Sequence, residues 1–324
     1  VARIVVPSPE MIEEATDRLR AGRLVAFPTE TVYGLGADLF NEAAIDLIFE
    51  RKGRPFDNPL IAHVLDPAGA RHLSEGWDAR CETLASRFWP GPLTFVLPRA
   101  ECVPPRATAG LETIAIRAPR HDVARALLEA FGAPISVPSA NRSGHVSPTS
   151  ATHVAADFAD DDEFMILDGG SCEVGLESTV LDLTTDPPRI LRPGEVTERE
   201  LREILGDVAI AAVRAQAASP GTSPRHYAPR TPAVLIESAQ LFEHLGSLTE
   251  PAAVLCFNAS IIIPPHRPIE MPQGAGEYAR VMYDALRRAD ATGLSRIVIE
   301  APPLTNDIWR AIHDRLNRAT ATGR

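Results

Sequence analysis

Two α/β domains are what this sequence predicts, and three observations carry the prediction. Short apolar runs of strand length alternate with stretches of helical periodicity through the first two-thirds of the chain. Over residues 213–232 the composition turns to Ala, Ser, Pro and Gly, the character of an interdomain linker. The alternation then resumes. The expected organisation is a twisted, mixed-sheet domain over 1–212, the linker 213–232, and a smaller α/β domain over 233–324.

The first strand is expected at 24–27, an apolar run closed by Pro28. A helix at 42–51 then brings Ile45, Ile48 and Phe49 to one face. Further strands are expected at 60–64, 93–97, 113–117, 134–137, 164–167, 178–183 and 189–191, and helices at 79–88, 123–131 and 197–205. In the second domain the strands are 233–236, 252–257 and 296–300, and the helices 277–289 and 307–319. The helix at 277–289 sets Tyr278, Val281, Met282 and Leu286 on one face.

At 324 residues the chain has room for two cores. A net charge of −11 opposes non-specific nucleic-acid binding, which works by neutralising phosphates, but leaves room for a locally cationic nucleotide pocket. No apolar run is long enough to cross a bilayer, and the first residues lack a secretory pattern. Cys81, Cys102, Cys172 and Cys256 form no CxxC pair, so neither a disulfide framework nor a zinc knuckle is indicated. The expectation is a reduced, cytoplasmic protein without membrane or stable nucleic-acid partners. The acidic run Asp160-Asp161-Asp162-Glu163 reads as a solvated loop.

Lys52 is the sole lysine among arginines. A compact ammonium can sit between several phosphate oxygens where a planar guanidinium cannot. Arg54 and Asn58 follow it between Pro55 and Pro59, and His63 lies on the next strand. Three more polar clusters end or follow strands, where ligands of open α/β sheets gather. The first is Pro28–Gly36, with Thr29, Thr31, Tyr33 and two glycines. Another runs from Ser136 through Val137, Ser139 and Asn141 to Ser147. The last unites Thr113 and Arg117, Ser178 and Thr179, and Arg192. Arg117 lies in an apolar strand, and a buried arginine wants an anion: a ligand, or a structural carboxylate. No P-loop, dinucleotide fingerprint, GxSxG or HExxH is present.

Together these clusters resemble the YrdC/Sua5 family of threonylcarbamoyl-adenylate synthases. The matching motifs are PTETVYGLG at 28–36, KGRP at 52–55, TIAIRAP at 113–119, SVPSAN at 136–141, ESTV at 177–180 and ILRPG at 190–194. The linker's RHYAP and the C-terminal EYARVMYDALRRAD and RIVIEAP are similar to the two-domain Sua5 form; Thr222-Ser223-Pro224 departs from its pattern. The resemblance implies a YrdC-like domain, a linker that covers the active site, and a Rossmann-like Sua5 domain. It further implies a nucleotidyltransferase that condenses L-threonine, bicarbonate or CO₂, and ATP to threonylcarbamoyl-AMP and pyrophosphate. A separate tRNA threonylcarbamoyltransferase then uses the product at adenosine 37 (t6A).

By the same resemblance Lys52, Arg54, Ser139 and Asn141 form the catalytic set. Asn58, Thr113, Ser147, Arg192 and Tyr227 join them around ATP. Thr31, Tyr33, His63, Arg117, Ser178 and the backbone of Val137 would hold threonine, with Arg117 on its carboxylate. Mg²⁺ is expected through the ATP phosphates rather than in a protein metal site, with no tightly bound organic cofactor. Two rivals compete. An RNA-binding module is opposed by the acidic balance. A carbamoyl-transfer domain like that of hydrogenase-maturation proteins is opposed by the missing CxxC motifs.

Overall fold

The computed structural model describes residues 2–161, 164–211 and 226–321. Residues 213–225 of the expected linker, including the departure at Thr222-Ser223-Pro224, lie outside them, as do Asp162 and Glu163. The described chain divides into two compact units: 2–143 with 148–211, and 144–147 with 226–321.

The first unit is built on an eleven-stranded sheet. Its strands are β1 (Arg3–Val5), β2 (Val25–Phe27), β3 (Gly34–Asp38), β4 (Ile61–His63), β5 (Leu93–Pro98), β6 (Thr113–Arg117), β7 (Ile135–Ser136), β8 (Met165–Leu167), β9 (Thr179–Asp182), β10 (Arg189–Arg192) and β11 (Ala209–Ile210). Their order is β1-β8-β2-β3-β7-β4-β6-β5-β9-β10-β11, with parallel and antiparallel neighbours mixed. Helices α1 (Pro9–Arg20), α2 (Glu42–Lys52), α3 (Pro67–Leu73), α4 (Ala79–Phe88), α5 (Asp122–Phe131), α6 (Ala151–Asp157) and α7 (Glu198–Leu205) cover it.

Strand alternation shares side chains between two cores. Val25 and Phe27 of β2, with Met165 and Leu167 of β8, pack against Ala15 and Leu19 of α1 and Leu127 and Phe131 of α5. Ala26 and Ile166 point the other way, into a core with Ile48 of α2, Leu84 of α4, Val154 of α6 and Leu201 of α7. Because both faces are covered, these strands read as continuous apolar runs rather than alternating ones.

Strand β3 is a departure from the sequence expectation, which reads 28–36 as a polar cluster and places no strand at 34–38. Its glycines obscure it, and packing explains them. A Cβ on Gly34 would lie 2.2 Å from Val137 Cγ1, and one on Gly36 would lie 2.7 Å from the Phe27 ring. Helix α1 also went unread, although Ser8 caps it and Pro9 opens it.

In the second unit β12 (Ala233–Ile236), β13 (Ala253–Cys256), β14 (Arg267–Glu270) and β15 (Ile297–Glu300) form a wholly parallel sheet of order β12-β15-β13-β14. Helix α8 (Leu241–Ser247) packs Leu241 and Leu245 on Val254 and Val298. Helices α9 (Ala275–Asp290) and α10 (Asp307–Thr320) pack on each other and on β13 and β12, covering the opposite face as right-handed crossovers require. A parallel sheet with helices on both faces is the Rossmann-like arrangement expected for this region.

Candidate active site

Strands β4 and β6 run parallel and end together, so His63 and Arg117 are register partners at their carboxyl ends. Strand β7 runs antiparallel beside β4 and delivers the chain into the 137–141 segment. The carboxyl ends of β4 and β6 thus meet where ligands of α/β sheets bind, while β7 passes His63 with Ile135 and leaves beside Ile61.

Arg117 is buried, and each guanidinium nitrogen is engaged. Nη2 lies 2.8 Å from Glu30 Oε1, Nη1 donates to Thr31 Oγ1 at 2.8 Å, and Nε donates to Gly91 O at 3.2 Å. Glu30 Oε2 also accepts the Arg120 N–H at 3.1 Å. Burial works to raise the Glu30 carboxyl, but the Arg117 charge and these hydrogen bonds outweigh it and hold the group below the ordinary carboxylate value. Thr31 Oγ1 is 2.8 Å from Thr29 Oγ1, so two hydroxyls stand beside the cation. Glu30 was missed as a site residue. Its signal was its place in the PTETVYGLG motif together with the need of a buried arginine for a counter-charge.

His63 is buried beside Arg117, and burial first, then the arginine's charge, depress its pKa to about 3. The imidazole is therefore neutral near pH 7. It can orient a ligand by hydrogen bonding, but it is too weak a base to hold a proton taken from an amine. Tyr33, fully buried, donates its hydroxyl to Gly170 O at 2.7 Å. Burial first, then the Asp168 charge, raise its phenol far above the ordinary value.

Lys52 closes α2, and Gly53 turns the chain out of the helix in the left-handed conformation. The lysine is buried. Its Nζ donates to Ser139 O at 2.5 Å and to Asn141 O, which among the described residues leaves one of the ammonium's three donors for a ligand. Burial and the Arg54 charge push its pKa well down. Its own carbonyl accepts the Ser143 N–H at 2.8 Å, so helix end and loop brace each other. Arg142 strengthens the brace through Nη1 to Arg51 O at 2.7 Å and an ion pair to Asp160 at 2.9 Å, while Arg51 pairs with the buried Asp161. Asp160 and Asp161 are thus ion-paired, which corrects the reading of that run as a merely solvated loop.

Arg54 folds onto its own loop, with Nη2 on Asn58 Oδ1 at 2.5 Å and on Pro59 O at 2.8 Å. Ser178 Oγ lies 2.8 Å from Thr94 Oγ1 and accepts from Arg192 Nη2 at 3.1 Å. Arg192, expected around ATP, and Ser178, expected around threonine, are therefore in direct contact. Val137 donates its backbone N–H to Ile61 O at 2.8 Å. Thr113 stands at the opposite end of β6 from Arg117, about 13 Å along the strand. Glu195, also unread in the sequence, follows Gly194; burial raises its carboxyl above the usual value against the pull of Arg120.

The second unit holds the remaining two expected residues. Ser147 is buried in the 144–147 segment, whose Gly144 O accepts the Ala228 N–H at 2.9 Å. Tyr227 is buried with a left-handed φ of 61°, its ring 5.7 Å from Tyr283 and under the Arg315 guanidinium at 5.5 Å. Among the described residues no group of three or more His, Cys, Asp or Glu side chains is arranged to hold a metal. No helix among them is long and apolar enough to cross a membrane.

Comparison with known proteins agrees over nearly the whole chain. The Sua5/YciO/YrdC family model, described as telomere recombination, matches residues 17–194. A second model, described as threonylcarbamoyl-AMP synthase, C-terminal domain, matches residues 196–321. The threonylcarbamoyl-AMP synthase of Pyrococcus abyssi is 42% identical over 313 residues, covering 92% of each chain. That of Bacillus subtilis is 40% identical, covering 91% of this chain and 88% of its own. The crystal structure of P. abyssi Sua5 complexed with L-threonine superposes with a TM-score of 0.89 at 38% identity, covering 99% of this chain and 97% of that one. The chain belongs to the Sua5/YciO/YrdC family, in its two-domain form.

Proposed function

We propose that this protein is an L-threonylcarbamoyl-adenylate synthase, condensing L-threonine, bicarbonate or CO₂, and ATP to threonylcarbamoyl-AMP and pyrophosphate. The observation that carries the reading is Arg117, held by Glu30 and Thr31 at converging strand ends in a chain 42% identical to a threonylcarbamoyl-AMP synthase. A buried cation flanked by hydroxyls and a neutral imidazole suits a small hydroxy amino acid. Arg117 takes the carboxylate, and Thr31, Tyr33, His63, Ser178 and the Val137 backbone orient the rest.

Carboxylation of the threonine amine releases a proton and leaves a carbamate. A carbamate oxygen then attacks the α-phosphate of ATP, and pyrophosphate departs with the electrons of the broken P–O bond. The nucleophile is already anionic, so positioning and charge relief do the work. Lys52 presents its third N–H donor to the phosphates while fixing Ser139 and Asn141 through their carbonyls. Arg54, Arg192, Asn58, Thr113, Ser139 and Asn141 complete the nucleotide side. Mg²⁺ bound with ATP would supply further charge neutralisation, and such an ion needs few protein ligands.

The product supplies a tRNA threonylcarbamoyltransferase for t6A synthesis, and a cytoplasmic location follows from that role.

The test is incubation with ATP, Mg²⁺, L-threonine and labelled bicarbonate. Labelled threonylcarbamoyl-AMP and pyrophosphate that require all three substrates are expected. A folded, ATP-binding protein that makes no product would overturn the reading.

A further inference from the structure

A second cavity lies wholly within the C-terminal unit, at the carboxyl end of its parallel sheet. It encloses about 540 Å³ and is lined by residues that follow each of the four strands. Glu237 and Ser238 follow β12, Phe257 follows β13, Gln273 follows β14, and Glu300 ends β15; His313 of α10 completes the wall with the 301–304 turn. The chain leaving β12 goes to α8 on one face, and the chain leaving its neighbour β15 goes to α10 on the other. The two connections part and open a crevice between them, the place where open parallel sheets bind ligands.

The lining states what fits. It contains two carboxylates, Glu237 and Glu300, and no lysine or arginine, so a phosphate or carboxylate ligand is repelled. Glu300 is held in place: its Oε2 accepts the Phe257 N–H at 2.9 Å, and among the described residues its other oxygen is left for a ligand donor. Gln273 is likewise fixed, with Nε2 donating to Phe257 O at 3.1 Å, which leaves its amide oxygen as an acceptor. The half-buried Phe257 ring, backed by Tyr278 at 5.7 Å and Trp309 at 6.3 Å, offers a rigid flat face. Among the described residues the buried Tyr278 hydroxyl behind it has no hydrogen-bond partner. A carboxylate at the end of a parallel strand is suited to accept from a ribose diol, and a supported aromatic ring is suited to stack a base.

We propose that this crevice is a binding site for an uncharged nucleoside, the ribose diol donating to Glu300 and the base lying on Phe257. The crevice lining shares no residue with those expected to carry the synthase chemistry.

The experiment is calorimetric titration of adenosine into the full chain, with the catalytic site filled by a non-hydrolysable ATP analogue. One site per chain is expected. 2′,3′-Dideoxyadenosine, which lacks the diol, and AMP, which carries charge, should each bind at least tenfold more weakly. Glu300→Gln keeps a carbonyl oxygen for the Phe257 N–H and should weaken adenosine at least tenfold, as should Phe257→Leu. No binding beside the ATP analogue overturns the proposal, as does binding indifferent to both crevice variants when their thermal unfolding matches the parent. Spermidine bound through Glu300 where adenosine does not bind would replace a nucleoside with a polyamine and equally overturn it.

Discussion

Glu30 and Arg117 form an ion pair of 2.8 Å in which the carboxylate side chain is 1% and the guanidinium side chain 4% exposed. Two charges so deeply buried are tolerated because each is hydrogen-bonded elsewhere: Glu30 to the Arg120 amide, Arg117 to Thr31 and Gly91. The pair also fixes the direction of the guanidinium, so the same contact that serves the fold orients the cation proposed to take the threonine carboxylate.

Glu30→Ala leaves the arginine charge uncompensated and should cost about 3–5 kcal/mol in denaturant unfolding. Because the folded pKa of Glu30 lies below its ordinary value of 4.5, its stabilisation is present above that value and is lost as pH falls below it. An acid-unfolding curve with the same midpoint in Glu30→Gln and the parent would contradict this. Arg117→Lys, which loses the planar fork, should raise KM for threonine at least tenfold with a smaller effect on KM for ATP.

Lys52→Ala should reduce synthase turnover by about a thousandfold or more. It also leaves the Ser139 and Asn141 carbonyls without their donor, costing about 1–3 kcal/mol of stability. Circular dichroism and unfolding curves separate the two effects. Near-normal turnover in a folded variant would remove the lysine from the phosphate site.

The imidazole of His63 makes a prediction about acid. Its folded pKa of about 3 lies below the free value of 6.5, so the unfolded chain takes the proton first. Stability owed to the neutral ring is complete above pH 6.5 and is lost progressively as pH falls from 6.5 toward 3. His63→Asn should flatten that part of the stability–pH curve. In kcat/KM for threonine, no ionisation belonging to His63 should appear between about pH 5 and 8; one that vanished in the variant would make the histidine the base that deprotonates the amine.

Valine, which matches threonine in shape but lacks its hydroxyl, should be discriminated against by roughly 10⁴ in kcat/KM, because a pocket built to pair that hydroxyl is left with unpaired polar groups. Competition between the two amino acids, read as product ratio, measures it.

Gly34→Ala places a methyl 2.2 Å from Val137 Cγ1, beside the backbone assigned to threonine. It should destabilise by about 1–3 kcal/mol. The double variant Gly34→Ala with Val137→Ala should recover part of that loss, since the obstructing atom is a side-chain methyl. Gly194→Ala should have no such rescue, because its methyl would lie 2.5 Å from the Thr179 backbone nitrogen.

Strands buried on both faces, such as β2 and β8, were legible because their apolar runs are uninterrupted. Strand β3 was not, because close packing on Val137 and Phe27 demands glycine where a strand would ordinarily carry a β-branched residue. Strand β14 escaped for a related reason: Pro268 is tolerable only because the strand lies at the sheet edge. In the site, residue types and motif spacing pointed to Arg117, Lys52 and Ser178. Their partners were hidden, since sequence separation says nothing of which carboxylate, among 43 acidic residues, reaches a given arginine. Glu30 lies far from Arg117 along the chain and meets it through the strand order of the sheet.

The sole lysine of the chain is 2% exposed, so no lysine amine is offered to solvent. The proposed product is a mixed anhydride, a reagent whose natural victims are unprotonated amines. Its maker presents a surface coated in guanidinium groups, which such a reagent acylates poorly, and the single ε-amine is tucked beneath two carbonyls. The same arrangement leaves labels, cross-linkers and protein tags aimed at lysine side chains without an exposed target on the folded chain.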